Sequence, residues 1–371
     1  MASKILVFVG TRPEAIKMAP VIQALQAKPA VDCRLCVTGQ HRELLQPMLD
    51  VFQLQPQHRF DVMTEDQPAA AVLEAVIHKA REVIEQEKPD WVLVQGDTAT
   101  AAAVSLVAYL ERVKLGHVEA GLRTFDRRQP FPEEVFRRVA DLVADMYFAP
   151  TERARQNLLR EGCAEETVHV TGNTVVDALF QIQDWLARTP SRNGRMPAQA
   201  QGKRVILATV HRRENFGEPL LRICDALRSI ADGLDDTAHI VCTVHPNPNV
   251  STALRERLEG HPRLSLIEPL DYLDFVALMR DSYLILTDSG GIQEEAPSFG
   301  KPVLVLREVT ERPEAIEAGV ARLVGSDAET ITRETRTLLT DQAAYERMAR
   351  VTNPFGDGHA AERIADLLTG D

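Results

Sequence analysis

At 371 residues the chain is long enough for two domains with separate cores, and its 44% hydrophobic and 26% charged content is that of an ordinary globular protein. Fifty-four acidic residues against 42 basic ones give a net charge of −12, which argues against nucleic acid or an anionic membrane surface as partner. Met1-Ala2-Ser3-Lys4 runs straight into a strand with no signal peptide, no apolar run approaches the ~20 residues of a membrane span, and five cysteines are odd in number for a disulfide framework, so a cytoplasmic protein with reduced thiols is expected.

In chain order, apolar β-rich runs stand at Ile5 to Val9, Cys33 to Val37, Trp91 to Val94, Gly116 to Val118, Met146 to Ala149 and Val168 to Val170, with helix-length segments between most of them. A second set follows at Val205 to Thr209, Ile240 to Val244, Leu264 to Ile267, Tyr283 to Leu286, Val303 to Leu306 and Arg322 to Val324. The runs are continuous rather than alternating, as strands buried on both faces must be. The economical architecture is α/β, with two Rossmann-like, doubly wound parallel sheets facing each other. Between the sets, Arg188 to Lys203 is poor in apolar residues and carries prolines and glycines, and it reads as an exposed stretch near the boundary.

The first half places chemistry at its strand ends. Gly10-Thr11-Arg12, Gly39-Gln40-His41, Gln95-Gly96-Asp97-Thr98 and Glu119-Ala120-Gly121 each follow a run, so they share one rim. Gly10 is followed by Thr11, Arg12, Pro13, Glu14 and Ala15, without the further glycines of a dinucleotide fingerprint, and a nicotinamide cofactor is not expected. Arg12 and Lys17 give the rim positive charge, while Asp97 and Glu119 bring two carboxylates to neighbouring strand ends. The plain alternative for Asp97 is a helix cap. Glu133 and Glu134, after Pro130-Phe131-Pro132, add another acidic pair in the first turn of a helix, for which compensation of the helix dipole is the plain alternative.

In the second half, Val210-His211-Arg212-Arg213-Glu214-Asn215 follows the first strand, and a histidine in such a cationic cluster should have a depressed pKa and serve as acid, base or neutral donor. His245-Pro246-Asn247-Pro248 follows the next strand; His211, His245 and Cys242 lack paired metal-ligand spacing, so no metal is expected. Thr287-Asp288-Ser289-Gly290-Gly291 then ends a strand and opens a helix, where backbone N–H groups and the helix dipole suit a phosphate and Ser289 adds a hydroxyl. Glu294 and Glu295 sit oddly in a helix that faces phosphate, unless one of them holds something else such as ribose hydroxyls. Arg307 to Arg312 leaves the next strand with charge, and Arg12-Pro13-Glu14-Ala15-Ile16 recurs as Arg312-Pro313-Glu314-Ala315-Ile316. No Gly-x-Ser-x-Gly elbow is present, which removes the ordinary serine hydrolase.

Taken together, GTRPEAIKMAP from Gly10, TGQH from Thr38, QGDT from Gln95, HVEAGLRT from His117, PFPEE from Pro130, TGNTVVDAL from Thr171, HRREN from His211, HPNP from His245 and TDSGGIQEEAPSFGKPVLVLREVTERPEA from Thr287 resemble the non-hydrolysing UDP-N-acetylglucosamine 2-epimerases, in order and over nearly the whole chain. The resemblance implies a glycosyltransferase-B-like pair of domains, residues 1–172 with a returning helix at about 355–371 and residues 173–354, a UDP-sugar in the cleft, no cofactor, and a homodimer. It puts Arg12, Lys17, Ser289, Gly290, Gly291, Glu295 and Arg312 on the nucleotide diphosphate and ribose, Phe275 near the uracil, and Asp97, Glu119, Glu133 and His211 in the chemistry. Residues matching Gln40, Arg212 and His245 would hold a second UDP-N-acetylglucosamine as activator. Leu270 stands where some members carry a glutamine beside the base, and Phe136 where many carry an asparagine. The implied activity is epimerisation at C2 through a 2-acetamidoglucal, supplying ManNAc-type sugars for cell-surface polysaccharide. A 2-epimerase of a modified UDP-diacetamido sugar, a glycosyltransferase of the same fold and a nucleotide-sugar sensor are the alternatives.

Overall fold

The computed structural model describes residues 2–39, 42–62, 67–189 and 196–370. The chain divides into two compact units, Met1–Ala178 with Phe355–Asp371, and Leu179–Pro354.

In the first unit, strands β1 (Ser3–Val9), β2 (Val31–Val37), β3 (His58–Arg59), β4 (Trp91–Gln95), β5 (Lys114–Val118), β6 (Met146–Ala149) and β7 (Val168–Val170) form one sheet in the order β3-β2-β1-β4-β5-β6-β7. Every pair is parallel. Helices cover both faces, so Ile5, Leu6, Val7 and Phe8 are all fully buried in succession, which is why β1 reads as an unbroken apolar run. The edge strand β3 was not expected: two residues, His58 and Arg59, carry no hydrophobic pattern to read. Strand order reverses between β1 and β4, so the turns leaving those strands diverge and open a crevice at their carboxyl ends.

The second unit repeats the arrangement with β8 (Arg204–Thr209), β9 (Ala238–Thr243), β10 (Leu264–Ile267), β11 (Leu284–Thr287), β12 (Val303–Val305) and β13 (Ala321–Leu323) in the order β10-β9-β8-β11-β12-β13, again all parallel. Its reversal lies between β8 and β11, where Thr209 stands opposite Thr287, and His211 and Asp288 therefore leave the sheet side by side. One core of Ile, Leu, Val and Ala side chains runs under this sheet from Ile206 to Met348.

Helix Thr174–Arg188 carries the chain out of the first unit, and the C-terminal segment belongs to that first unit again. Helix Ala360–Thr369 packs on helix Arg12–Gln26 and buries Ala360, Ala361, Ile364, Ala365 and Leu368. It is fastened by Ala361 N–H to Asp177 at 2.8 Å, Asn173 N–H to the Phe355 carbonyl at 2.6 Å, and an ion pair from Lys28 to Asp366 at 2.6 Å. All five cysteines are free thiols, four of them buried. Among the described residues, no helix is long and apolar enough to cross a membrane.

Candidate functional site

Each unit gathers charged and polar side chains at its own strand-order reversal. In the first, the turn after β1 opens helix Arg12–Gln26 with a capping box: the Thr11 hydroxyl takes the Glu14 N–H at 3.5 Å, and the Glu14 carboxylate takes the N–H groups of Gly10 at 3.0 Å and Thr11 at 2.7 Å. Thr98, in the turn after β4, donates its hydroxyl to the same carboxylate at 2.8 Å, so one buried side chain joins the two turns that flank the crevice. Burial pushes Glu14 up to about 7 from 4.5, against the pull of these hydrogen bonds. Sequence reasoning had Glu14 only as a member of a repeated pentapeptide. Its signal was a carboxylate three residues after Thr11, the spacing of a capping box.

Asp97 is not the helix cap entertained from sequence. Thr98 caps helix Ala99–Leu110, its hydroxyl taking the Ala101 N–H at 3.0 Å, and Asp97 instead forms an ion pair with Arg137. Arg137 also lies 3.5 Å from Glu134, whose carboxylate takes the N–H groups of Thr124 and Phe125 at 3.1 Å each. Glu134 therefore holds a loop in place, a larger task than answering a helix dipole. Its neighbour Glu133 keeps one carboxylate oxygen buried and without a hydrogen-bond partner among the described residues. Glu119 leaves β5 with φ +64°, pairs with Lys17, and accepts from the Asn173 amide at 3.1 Å. The structure thus gathers Lys17, Asp97 and Glu119 with Arg137 and Asn173 on one rim. Arg12 stands half-buried in the first turn of its helix. Gln40 lies outside the described residues.

In the second unit Asp288 is the organising group. Fully buried, it takes the His211 N–H at 3.0 Å, the Arg212 N–H at 2.9 Å and the Asn215 amide at 2.9 Å, which fixes the whole turn after β8. The His211 ring nitrogen Nδ1 lies 3.4 Å from Asp288 Oδ1, and the ring stacks on His245 with centroids 5.8 Å apart. The His211 pKa is lowered, as expected, but burial is the first cause, the Asp288 charge opposes it, and Arg212 and His245 add to it.

Asp288-Ser289 then leads into helix Gly290–Glu295. A methyl group on Gly290 would come within 3.5 Å of the Arg212 guanidinium and 3.9 Å of the Arg312 guanidinium, so two cations flank the helix start and reinforce its affinity for anions. Arg312 is held there by an ion pair with buried Glu294. Of the two acids in question, Glu294 is thus engaged by an arginine, while half-buried Glu295 accepts from the Tyr272 hydroxyl at 3.3 Å. Tyr272 and Phe275 are three apart on helix Tyr272–Asp281 and share a face. Arg307 pairs with Glu214 and Glu311; burial would raise Glu311, but the Arg307 bonds hold it at about 2. No group of three or more His, Cys, Asp or Glu is placed to hold a metal among the described residues.

The family model described as UDP-N-acetylglucosamine 2-epimerase matches residues 23–369. A UDP-N-acetylglucosamine 2-epimerase of Yersinia pestis is 48% identical over 98% of this chain and 98% of its own, and that of Escherichia coli K12 is 46% identical over the same shares. Among solved structures, the UDP-GlcNAc 2-epimerase of Neisseria meningitidis bound to UDP-GlcNAc superposes with a TM-score of 0.91 at 42% identity, covering 99% of this chain and 100% of that one. The Methanocaldococcus jannaschii enzyme, in complex with UDP-GlcNAc and UDP, gives 0.82 at 34% identity over 99% and 100%.

Proposed function

Given that the chain belongs to the UDP-N-acetylglucosamine 2-epimerase family, we propose that it inverts C2 of UDP-N-acetylglucosamine to give UDP-N-acetylmannosamine, by elimination of UDP and its re-addition. The observation that carries this is a helix start flanked by Arg212 and Arg312 at one strand-order reversal, and Asp97 and Glu119 gathered with Lys17 and Arg137 at the other.

The C2 hydrogen lies beside an amide nitrogen and no carbonyl, so direct removal by a carboxylate is implausible. Breaking the C1–O bond first leaves a ring oxocarbenium ion whose C2 hydrogen is acidic. The leaving diphosphate gains charge as that bond breaks, and Arg312, the Ser289-Gly290-Gly291 turn, Arg12 and Lys17 are the groups assigned to take it up, with Glu295 on the ribose and Phe275 near the uracil. One carboxylate among Asp97, Glu119 and Glu133 removes the C2 proton to give 2-acetamidoglucal, and an acid on the opposite face returns one before UDP adds back. Opposite faces need two groups, a physical reason for several acids together. Glu119 is paired with Lys17 and Asp97 with Arg137, while Glu133 keeps a buried oxygen without a hydrogen-bond partner among the described residues. His211, held by backbone and ring to Asp288, is the remaining polar group assigned to the chemistry.

Because His245 stacks on His211 and Arg212 is bonded to the same Asp288, an anionic activator held by Arg212 and His245 would act directly on His211. A sigmoidal dependence of rate on substrate checks this. Exposed Leu106, Tyr109 and Leu110 on helix Ala99–Leu110 lie with Leu142 and Val135 on the packed neighbouring helix Glu133–Val143, an apolar face suited to a second copy of the chain. Sedimentation of wild type against Leu142→Glu checks the dimer.

Purified protein given UDP-N-acetylglucosamine alone in heavy water should yield product carrying deuterium at C2 and scrambling of the anomeric oxygen. Epimer that keeps its original C2 hydrogen would rule out the elimination route, and inertness until an acceptor is added would point to a glycosyltransferase.

A further inference from the structure

Behind the acidic rim lies a buried polar cluster to which the reaction scheme assigns no task. His117, on β5, has a fully buried side chain. Its Nδ1 lies 2.6 Å from an Asp141 carboxylate oxygen and its Nε2 lies 2.8 Å from the Gly96 carbonyl oxygen. A carbonyl oxygen only accepts. The second Asp141 oxygen already takes the Gly121 N–H at 3.2 Å and the Arg123 guanidinium at 2.7 Å, so that carboxylate is an acceptor as well. Both ring nitrogens are therefore placed to donate. Arg123 also pairs with Glu161 at 2.7 Å, and Arg138 reaches the same carboxylate at 3.7 Å. Tyr147 donates to the Asp141 backbone carbonyl at 2.9 Å, and Cys163 adjoins it.

We propose that His117 is a positioning residue of the epimerase: its doubly donating ring, with Asp141, locks the two backbone turns that carry Asp97 and Glu119. The inference rests on the assignment of Asp97 and Glu119 to the chemistry. Gly96 is gripped on both sides, its N–H by the Val118 carbonyl at 3.0 Å and its carbonyl by His117, so the peptide plane from which Asp97 departs cannot rotate. Two residues beyond Glu119, Gly121 is gripped by Asp141 through its N–H. Glu119 holds a left-handed φ of +64°, a backbone that a non-glycine residue keeps only where its surroundings fix it, while Gly96 and Gly121 on either side, at +69° and +84°, adopt theirs freely. The His117, Asp141 and Arg123 side chains are buried, so the cluster acts through the two carboxylates rather than on substrate.

The test uses the full-length enzyme with His117→Asn and His117→Gln, beside wild type and Asp97→Asn. Asparagine keeps a donor near the Nδ1 position and leaves the Gly96 carbonyl unpaired. Glutamine is long enough to reach that carbonyl. The kcat of His117→Asn should fall about 100-fold, as expected of a group that orients a reacting one, with KM and UDP affinity close to wild type, and His117→Gln should regain at least roughly tenfold of that loss. A kcat for His117→Asn within about threefold of wild type would overturn the proposal, as would equal losses of kcat and UDP affinity in both variants. Inactive Asp97→Asn beside fully active His117→Asn would overturn this inference alone; fully active Asp97→Asn would overturn the reading of the rim as well. Should neither His117 variant fold, NMR of histidine-labelled wild type decides. It should show one ring with hydrogen on both nitrogens and a slowly exchanging Nε2 proton, and the absence of such a ring overturns the assignment.

Discussion

Glu14 makes the stability of the first unit depend on pH, and the effect has a definite size and sign. The side chain is 1% exposed and its pKa rises from 4.5 to about 7, chiefly through burial. The folded state therefore holds this proton more tightly than the unfolded chain does. The stabilisation is complete below pH 4.5 and is lost as pH rises, until above about 7 the folded protein carries a buried anion. The difference corresponds to about 3 kcal/mol. Glu14→Gln leaves an acceptor for the Gly10 and Thr11 N–H groups and has no proton to lose. Measured as wild type minus Glu14→Gln, stability should decline between pH 5 and 8, a change of about 6–12 °C in the relative melting temperature at a few degrees per kcal/mol. Thermal scans of both proteins at pH 5, 6, 7 and 8 give the comparison directly. A gap that stays constant across that range would refute the argument, because it would mean that the hydrogen bonds from Thr98, Thr11 and Gly10 fully offset burial.

Asp288→Ala should lower stability by about 3–5 kcal/mol, since it orphans the His211 and Arg212 N–H groups and the Asn215 amide in a buried site, and urea unfolding checks it. His211→Asn should abolish turnover while UDP affinity, by calorimetry, stays near wild type; a joint loss would make His211 a binding residue. Thr98→Ala should cost about 1 kcal/mol or more and Asp97→Ala much less, because the hydroxyl is the cap, and equal losses would reverse that assignment. UDP at about 100 times its dissociation constant should add ~2.7 kcal/mol of apparent stability, read as a rise in melting temperature.

The strands were legible because parallel sheets covered on both faces demand unbroken apolar runs, and only β3, two residues long, escaped. The placement of the rims was legible for the same reason: glycines and charged residues follow those runs. What was not legible were partners brought together by turns rather than by spacing. Nothing in the sequence says that Arg137 reaches Asp97 forty positions away, that Asn173 meets Glu119, or that Arg312 is engaged by Glu294 and leaves Glu295 for Tyr272. The buried role of Asp288 was hidden in a motif whose serine and glycines looked more informative. The Glu14 capping box is legible from Thr11 onward, as a glutamate three residues after a threonine at a helix start.

That the first unit is completed by Phe355–Asp371 bears on how the protein is made. Synthesis runs from the amino end, and a domain ordinarily folds once its own segment has emerged from the ribosome. Here the seven-stranded sheet is finished long before the helix that covers Arg12–Gln26, so the apolar stripe destined for Ala361, Ile364, Ala365 and Leu368 stays uncovered while the second unit, continuous from Leu179 to Pro354, is built and folds. A segment made after the whole second unit is needed to close the first. Ribosome-bound chains halted before Phe355 should therefore hold a protease-resistant second unit beside a first unit that is still readily cut.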